Sequence, residues 1–485
     1  MRLWGFLDVW IVLPSPDFRK YPECPDSPRY FLWRPCKFDM AQEAPPTKVH
    51  RKEGVRRKLP ELLAPAGNRE KLALAVHYGA DAVYLGGKAF GLRNQADNFT
   101  DEELEEAVDF AHDRGVKVYL TVNWYAGGAD LPGLQGFLER VAAVPFDALI
   151  AADPGVIDLI RELSPERQIH LSTQANTTNW RSAAFWSRQG VSRINLAREM
   201  TLDEICEVKQ LVPVEVEVFA HGALCISYSG RCLLSSVMSG RNANKGECAH
   251  PCRWNYSLVE ETRPGEYFPV VENDHGTFIF NSRDLCLLPY LPELVTAGVD
   301  SLKIEGRMKG VNYVASVVRV YREALDRYRD DPERYRCRPE WLEELAKISH
   351  RGYTTGFIFG EPRNVAVEYD ARYIRSHDFV GMVGEAGEND CIGQVSVDVR
   401  NRIRLGDRLE IIGPGMVSHA ITLERMTDSA GHLLDTAHPN SRIMLDVPFP
   451  TACFDLVRRE RLPEILSPEA QPETAAMIST TSEVL

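Results

Sequence analysis

From residue 60 onward the chain alternates short apolar runs with helical patterns, and no other feature limits its fold so strongly. Runs rich in Val, Ile and Leu occupy 61–64, 82–85, 116–122, 147–151, 168–172, 192–196, 214–219 and 299–304. Helical patterns lie between nearly all of them, including REKLALAVHYG at 69–79, DEELEEAVDFAHDRG at 101–115 and LDEICEVKQLV at 202–212. Apolar runs this short, set between helices, read as strands buried on both faces of a parallel sheet. Eight such units within about 270 residues are the count and length of an α/β (β/α)8 TIM-like barrel. An open doubly wound sheet is the alternative, because a linear pattern does not show closure.

A barrel builds its active site at the carboxy-terminal ends of its strands. Seven of the connections there are short, but the one after the seventh strand runs from about 220 to 283. A loop that long carries a site or a lid. It holds Cys225, Cys232, Cys248 and Cys252, four of the chain's eleven cysteines, in a C-x6-C-x15-C-x3-C array among glycines, serines and arginines. Thiolates gathered this densely suit an iron–sulfur cluster or a structural zinc, with the cluster favoured. The plain alternative is that a free cysteine is a small buried apolar side chain.

Polar residues end the strands: Tyr84, Asn123, Asp153, Gln174, Arg198, His221, Glu305 and Arg307. Asp153 precedes Pro154 and reads as a helix cap. His221, at the start of the cysteine loop, is a candidate to orient substrate, move a proton or brace a sulfur. Arg307 offers a fork suited to a carboxylate, with Glu305 expected to hold it. Gln174, Arg198 and Asn123 complete the candidate catalytic set, and Arg198 and Arg307 are the candidate clamps for an anionic ligand.

Four stretches carry a family resemblance: HGALCISYSGRCLLSS at 221–236, NKGECAHPCRW at 244–254, NSRDLC at 281–286 and SLKIEGRMKG at 301–310. Together with ELLAPAGNREKL at 61–72, they make the chain resemble peptidase family U32. The likeness runs to the end of the carboxy-terminal domain near 460. It implies an oxygen-independent hydroxylase with a [4Fe-4S] cluster. The implied substrates are a tRNA wobble uridine, a ribosomal RNA cytidine or a ubiquinone precursor, and prephenate takes part in the RNA-directed reactions. Of these, 5-hydroxyuridine formation in tRNA is expected, with the ribosomal RNA cytidine hydroxylase as runner-up. An electron-transfer or family partner protein is also implied. Some members take their fourth cysteine from the region of Cys286, but this chain has Cys252 as well. The four ligands are therefore expected to be Cys225, Cys232, Cys248 and Cys252, with Cys286 a spare, a near-cluster thiol or core.

The family's name also raises a peptidase reading. No H-E-x-x-H helix or G-x-S-x-G elbow is present, which leaves that reading with the name alone. A zinc-stabilised binding protein is a third class, weakened by the polar strand ends.

The net charge of −13 is awkward for an RNA enzyme, so phosphate contact must come from local patches. KVHRKEGVRRK at 48–58 is one, and Arg231, Arg241, Lys245 and Arg253 form another; a solvated surface explains either equally well. No run of eighteen apolar residues is present and no cleavage site follows the apolar opening, so neither a membrane span nor a signal peptide is expected. Cysteines clustered for metal suit a reducing compartment, so a cytoplasmic location is expected.

Five segments are expected in all. They are a basic, disordered extension at 1–58, the barrel at 59–335, a helical and turn-rich connector at 336–377, a small β-barrel domain at 378–462, and a disordered tail at 463–485. Period-two strands such as CIGQVSVDV and RIMLDV underlie the fourth. Such domains grip RNA or brace a neighbour, and composition favours neither.

Overall fold

The computed structural model describes residues 58–92, 97–225, 227–253, 257–259, 267–269, 283–360, 375–384 and 393–461. All but the last residue of the amino-terminal extension, and the whole carboxy-terminal tail, lie outside them. Strand and helix alternate as the pattern implies: β1 (Glu61–Pro65), α1 (Arg69–His77), β2 (Ala82–Leu85), α2 (Asp101–His112), β3 (Lys117–Thr121), α3 (Leu131–Val141), β4 (Ala148–Ala151) and α4 (Pro154–Leu163). There follow β5 (Ile169–Leu171), α5 (Trp180–Arg188), β6 (Arg193–Asn195), α6 (Leu202–Leu211) and β7 (Glu215–Ala223). The helix starts are fixed locally. Capping boxes join Thr100 to Glu103 and Thr201 to Glu204, and Asp153 accepts from the Gly155 and Val156 amides as the expected cap.

The cysteine segment contributes α7 (Leu234–Ser239) and the antiparallel pair β8 (Ser257–Val259) and β9 (Tyr267–Pro269). Then come β10 (Asp284–Cys286), α8 (Leu291–Ala297), β11 (Ser301–Ile304), α9 (Val311–Asp330), α10 (Pro339–Lys347) and β12 (Tyr353–Thr354). Strands β1 to β7 pair in sequence order, and β11 pairs in parallel with both β1 and β7. That double pairing closes an eight-stranded parallel barrel among the described residues and excludes the open sheet. No helix of the described residues is long and apolar enough to cross a membrane.

The seventh strand departs from expectation. It runs to Ala223, past the point where a loop was expected to begin, because its upper half finds a second partner. Asp284, Leu285 and Cys286 pair antiparallel with Ala223, Gly222 and His221, and β12 adds to β10. The register against β11 shifts as β7 leaves the barrel: Lys303 faces Phe219, but Ile304 faces His221. One extra residue on β7 is a bulge, and a bulge re-aims every side chain beyond it.

The barrel interior is ionic at its amino-terminal end. Arg193 lies 2.6 Å from Glu61, 2.7 Å from Glu215 and 3.6 Å from Glu217, while Lys303 lies 2.9 Å from Glu217 and 4.6 Å from the Tyr84 ring centre. Tyr119 donates to Glu61 at 2.9 Å. Burial alone would raise the Glu61 carboxyl, but the charge of Arg193 and the bonds from Arg193 and Tyr119 hold it below its ordinary value. Every charge of this floor has an opposite charge in reach.

The carboxy-terminal domain comprises β13 (His377–Val383), β14 (Gly393–Val399), β15 (Ile403–Arg404), β16 (Arg408–Ile412), β17 (Ser418–Thr422), β18 (Met426–Asp428), β19 (Thr436–Ala437), β20 (Arg442–Val447) and β21 (Leu456–Glu460). Seven of these form one antiparallel sheet in the order β17-β16-β21-β13-β14-β20-β18, with its own apolar core. The domain is locked to the barrel. Arg458, fully buried, is bidentate to Glu344 of α10 at 2.7 and 2.6 Å and reaches Glu410 at 2.8 Å. Arg319 of α9 donates to the Gly413 and Val417 carbonyls, and Tyr78 to that of Ile412. Burial alone would raise the Glu344 carboxyl, but Arg458 and Arg319 bring it down to about 2.

Candidate functional site

The strand ends opposite the ionic floor form a polar mouth. Arg307, just beyond β11, turns its fork into the wall: Nη1 donates to Thr121 at 2.8 Å and Nη2 to Asn98. Asn123, following β3, accepts from the Leu92 amide at 3.2 Å and donates to Ser172 at 3.3 Å. Both side chains therefore hold neighbouring loops in place. The expected Glu305–Arg307 clamp is not what the structure builds: Glu305 lies 4.0 Å from Arg198 instead.

Arg198 is the residue on which the mouth converges. Its guanidinium sits 3.8 Å over the Phe219 ring, donates to the Ala223 carbonyl at 3.1 Å and approaches the Cys225 sulfur at 3.9 Å. One side chain thus touches β7, the acidic end of β11 and the first cysteine of the long segment.

Gln174 sits on the loop after the neighbouring strand, β5. Its carbonyl accepts from Tyr125, and Gly230, at φ +74°, packs so tightly on it that a Cβ there would lie 2.2 Å from that oxygen. The cysteine segment is thereby seated on the β5 loop two residues before Cys232. Its own Oε1 is buried without a protein partner, as are both amide atoms of Asn195 at the end of β6. An unpaired buried polar group costs about 1–3 kcal/mol, so these three atoms at neighbouring strand ends are candidates to pair with a ligand or a water. Asn195 was not among the expected site residues. The signal that finds it is parity: Arg193 and Asn195 are polar at alternate positions of a strand whose middle residue, Ile194, belongs to the outer core.

His221 is not at the mouth. Beyond the β7 bulge it faces the layer under α9, with ring centres of Tyr353, Tyr321 and Tyr313 at 5.3, 5.7 and 6.0 Å and 1% of its surface exposed. Burial pushes its imidazole down to about 3, so it is neutral at physiological pH. Strand β10 and the HRGYTTGF stretch at 350–357 meet in the same layer, where Asp284 pairs with Arg351 at 2.8 Å and His350 stacks on Tyr353 at 4.6 Å. Gly222, at φ +108°, admits the Glu305 carbonyl and the Tyr313 hydroxyl where a Cβ would lie within 2.8 Å of both. This layer anchors the exit of β7 and so aims the cysteine segment. Cys286 belongs to it as core, its thiol pushed by burial up to about 12.

Cys225, Cys232, Cys248 and Cys252 are thiols rather than disulfides, with Cys225 exposed and the others half-buried. As a donor set they match in kind what a cluster requires. Among the described residues, no three His, Cys, Asp or Glu side chains converge as ligands of one metal ion, so a cluster here would require the thiols to draw together. Of the nearby cations, Lys245 is engaged by Asp130 at 2.6 Å, while Arg231 is exposed and Arg241 half-buried beside the rim.

Comparison with known proteins agrees with this architecture. The sequence model described as peptidase family U32 matches residues 67–368, and that of the peptidase family U32 C-terminal domain matches 375–458. A Bacillus subtilis protein named tRNA hydroxylation protein P1 is 43% identical over 389 residues, covering 79% of this chain and 90% of that protein. The Escherichia coli tRNA hydroxylation protein P is 38% identical over 421 residues, covering 78% and 91%. A Porphyromonas gingivalis protein named collagenase is 31% identical over 370 residues, covering 73% and 86%.

Proposed function

This chain belongs to peptidase family U32, and on that premise we propose that it is an RNA-modifying enzyme that hydroxylates tRNA in the cytoplasm. The observation that carries the reading is the position of Arg198, which touches Glu305 and the Cys225 thiol at once. It joins the thiol segment to the polar mouth, as a redox group serving a bound nucleotide requires. The product of this reading is 5-hydroxyuridine at the wobble position, formed with prephenate as co-substrate. An unpaired loop nucleotide suits the mouth, because a base must leave its stack to enter a buried pocket.

Cys225, Cys232, Cys248 and Cys252 would hold the [4Fe-4S] cluster, which when bound supplies one-electron redox chemistry that zinc does not. The chain's own side chains do the rest. Arg198 offers its charge to a carboxylate of the co-substrate, and Glu305 holds that guanidinium across the mouth. Arg307 keeps the β2 and β3 loops in register through Asn98 and Thr121. Arg231 and Arg241 lie where phosphates of an RNA loop would pass.

The peptidase alternative has the name of the Porphyromonas gingivalis relative behind it. At the mouth, however, the Ser172 hydroxyl is bonded to Asn123 and that of Ser229 to Glu199, and neither has a histidine base.

Nucleoside mass spectrometry of tRNA and ribosomal RNA from cells with and without this gene tests the reading. Loss of 5-hydroxyuridine-type nucleosides from tRNA alone is expected. Loss of a hydroxycytidine from ribosomal RNA would instead assign the runner-up activity, and no change in either pool would end the RNA reading. Cys232→Ser should lower iron, sulfide and product together; full iron with full product would remove Cys232 from the ligand set.

A further inference from the structure

We propose that Asn195 reads the pyrimidine edge of the target nucleotide. The assignment rests on the tRNA reading above and goes further, naming the group that recognises the base. Strand β6 is three residues long, and its alternation is plain: Ile194 lies in the outer core, whereas Arg193 reaches Glu61 and Glu217 across the barrel interior. Asn195 follows Arg193 by two, so it shares the inward face, one layer nearer the mouth. It is in register with Glu217 of β7 and only 2% exposed.

Two other polar groups near this strand end are paired within the protein, although Glu217 Oε2, on the register partner of Asn195, is not. Asn123 has Leu92 and Ser172, and Thr121 has the Leu85 carbonyl and Arg307. Asn195 alone of these has both Oδ1 and Nδ2 buried without a protein partner, and Gln174 Oε1 beside it on the rim is in the same condition. A planar amide offers one acceptor and one donor side by side. The imide edge of uracil presents the complement, an N3–H donor beside the O4 acceptor, and both bonds form in one plane. A carboxylate ligand would satisfy Nδ2 and leave Oδ1 unpaired, so the amide suits a base better than an acid.

The test uses cells lacking the gene, complemented with wild type, Asn195→Leu or Asn195→Asp, followed by nucleoside mass spectrometry of their tRNA. The purified full-length proteins are melted in parallel. For Asn195→Leu, 5-hydroxyuridine should fall by roughly 100-fold or more, because a site built to pair a base edge loses most when its partner is removed. Its melting temperature should equal or exceed that of wild type, since an unpaired buried amide has been replaced by an apolar group. For Asn195→Asp, the carboxyl can accept from a cytosine N4 amine and, protonated, donate to N3. The ratio of hydroxycytidine to hydroxyuridine in tRNA should therefore rise by about tenfold.

An unchanged nucleoside ratio and yield for Asn195→Asp would overturn the assignment. So would an Asn195→Leu protein that melts lower and loses product only in proportion to its folded fraction, for the amide would then be structural. If wild type itself restores no hydroxyuridine, the tRNA reading fails and this assignment falls with it.

Discussion

At the amino-terminal end of the barrel Arg193 meets three carboxylates and Lys303 meets Glu217, whereas at the carboxy-terminal end Asn195 and Gln174 keep amide atoms that no protein group pairs. The two ends share strands: Arg193 and Asn195 are two residues apart, as are Lys303 and Glu305. Local sequence therefore does not separate them. In the floor each charge is neutralised by another, although Glu217 Oε2 and His170 Nδ1 also lack a hydrogen-bond partner, so charge balance rather than complete pairing sets it apart from the mouth. The mouth carries incomplete pairings beside Arg198 and the thiol segment, and incompleteness under burial is what a binding site looks like before it binds. The carboxy-terminal domain follows the floor's logic, since Arg458, Glu344 and Glu410 complete one another at the interface and hold the domain to the barrel.

The contrast breaks most easily at the floor. Arg193→Met leaves Glu217 with Lys303 alone and Glu61 with only the exposed Lys117, and should cost about 3–5 kcal/mol in urea denaturation. A cost under about 1 kcal/mol would mean that the floor is wetter and less closed than its distances imply. Acid gives a second, smaller separation. Burial holds the folded-state values of His170, His221 and His350 below the ordinary histidine value, those of His221 at about 3 and His350 at about 4. The unfolded chain therefore binds more protons between those values and 6.5, and stability present above pH 6.5 is lost as the pH falls through that window. Glu61 is held below its ordinary value and stays ionised there, so the loss belongs to the histidines. Unfolding free energies from denaturant titrations at pH 7 and pH 5 should differ by on the order of 3 kcal/mol, and a flat profile would place the histidines in contact with water. The smallest effect on stability should come from the mouth: Arg198→Met is expected to change it by less than about 1 kcal/mol. The same change should reduce the hydroxylated nucleoside by about 100-fold. Stability and product falling together would put Arg198 with the structural set.

The sequence made the barrel legible because its strands are short β-branched runs and its helices open with capping signals such as Thr100 with Glu103. The upper half of β7 was not legible. AHGA at 220–223 carries no strand pattern, and its pairing comes from Asp284–Cys286, some sixty residues on. His221 was misplaced for that reason, since a bulge visible only in the β11 register turns it under α9. Strand β21 is hard to read from sequence because LVRRE looks like a surface edge, whereas Arg458 is buried by carboxylates supplied from α10 and β16. Glu305 and Arg307, close in sequence, invited a pairing that the fold gives to Arg198 and Thr121, which lie on other strand ends. The cysteine array needed no structure to be noticed, since its spacing is the signal.

On the proposed function, the nucleotide enters the open end of the barrel. This is tested most directly by photo-crosslinking the full-length protein to an anticodon stem-loop RNA carrying 4-thiouridine at the wobble position, then sequencing the crosslinked peptides. Crosslinks should fall on the strand ends and the seat of the cysteine segment, at 121–125, 172–177, 195–199 and 223–231. Crosslinks confined to the strand starts around 59–61, 115–117 and 191–193, or to the carboxy-terminal domain at 375–461, would contradict it.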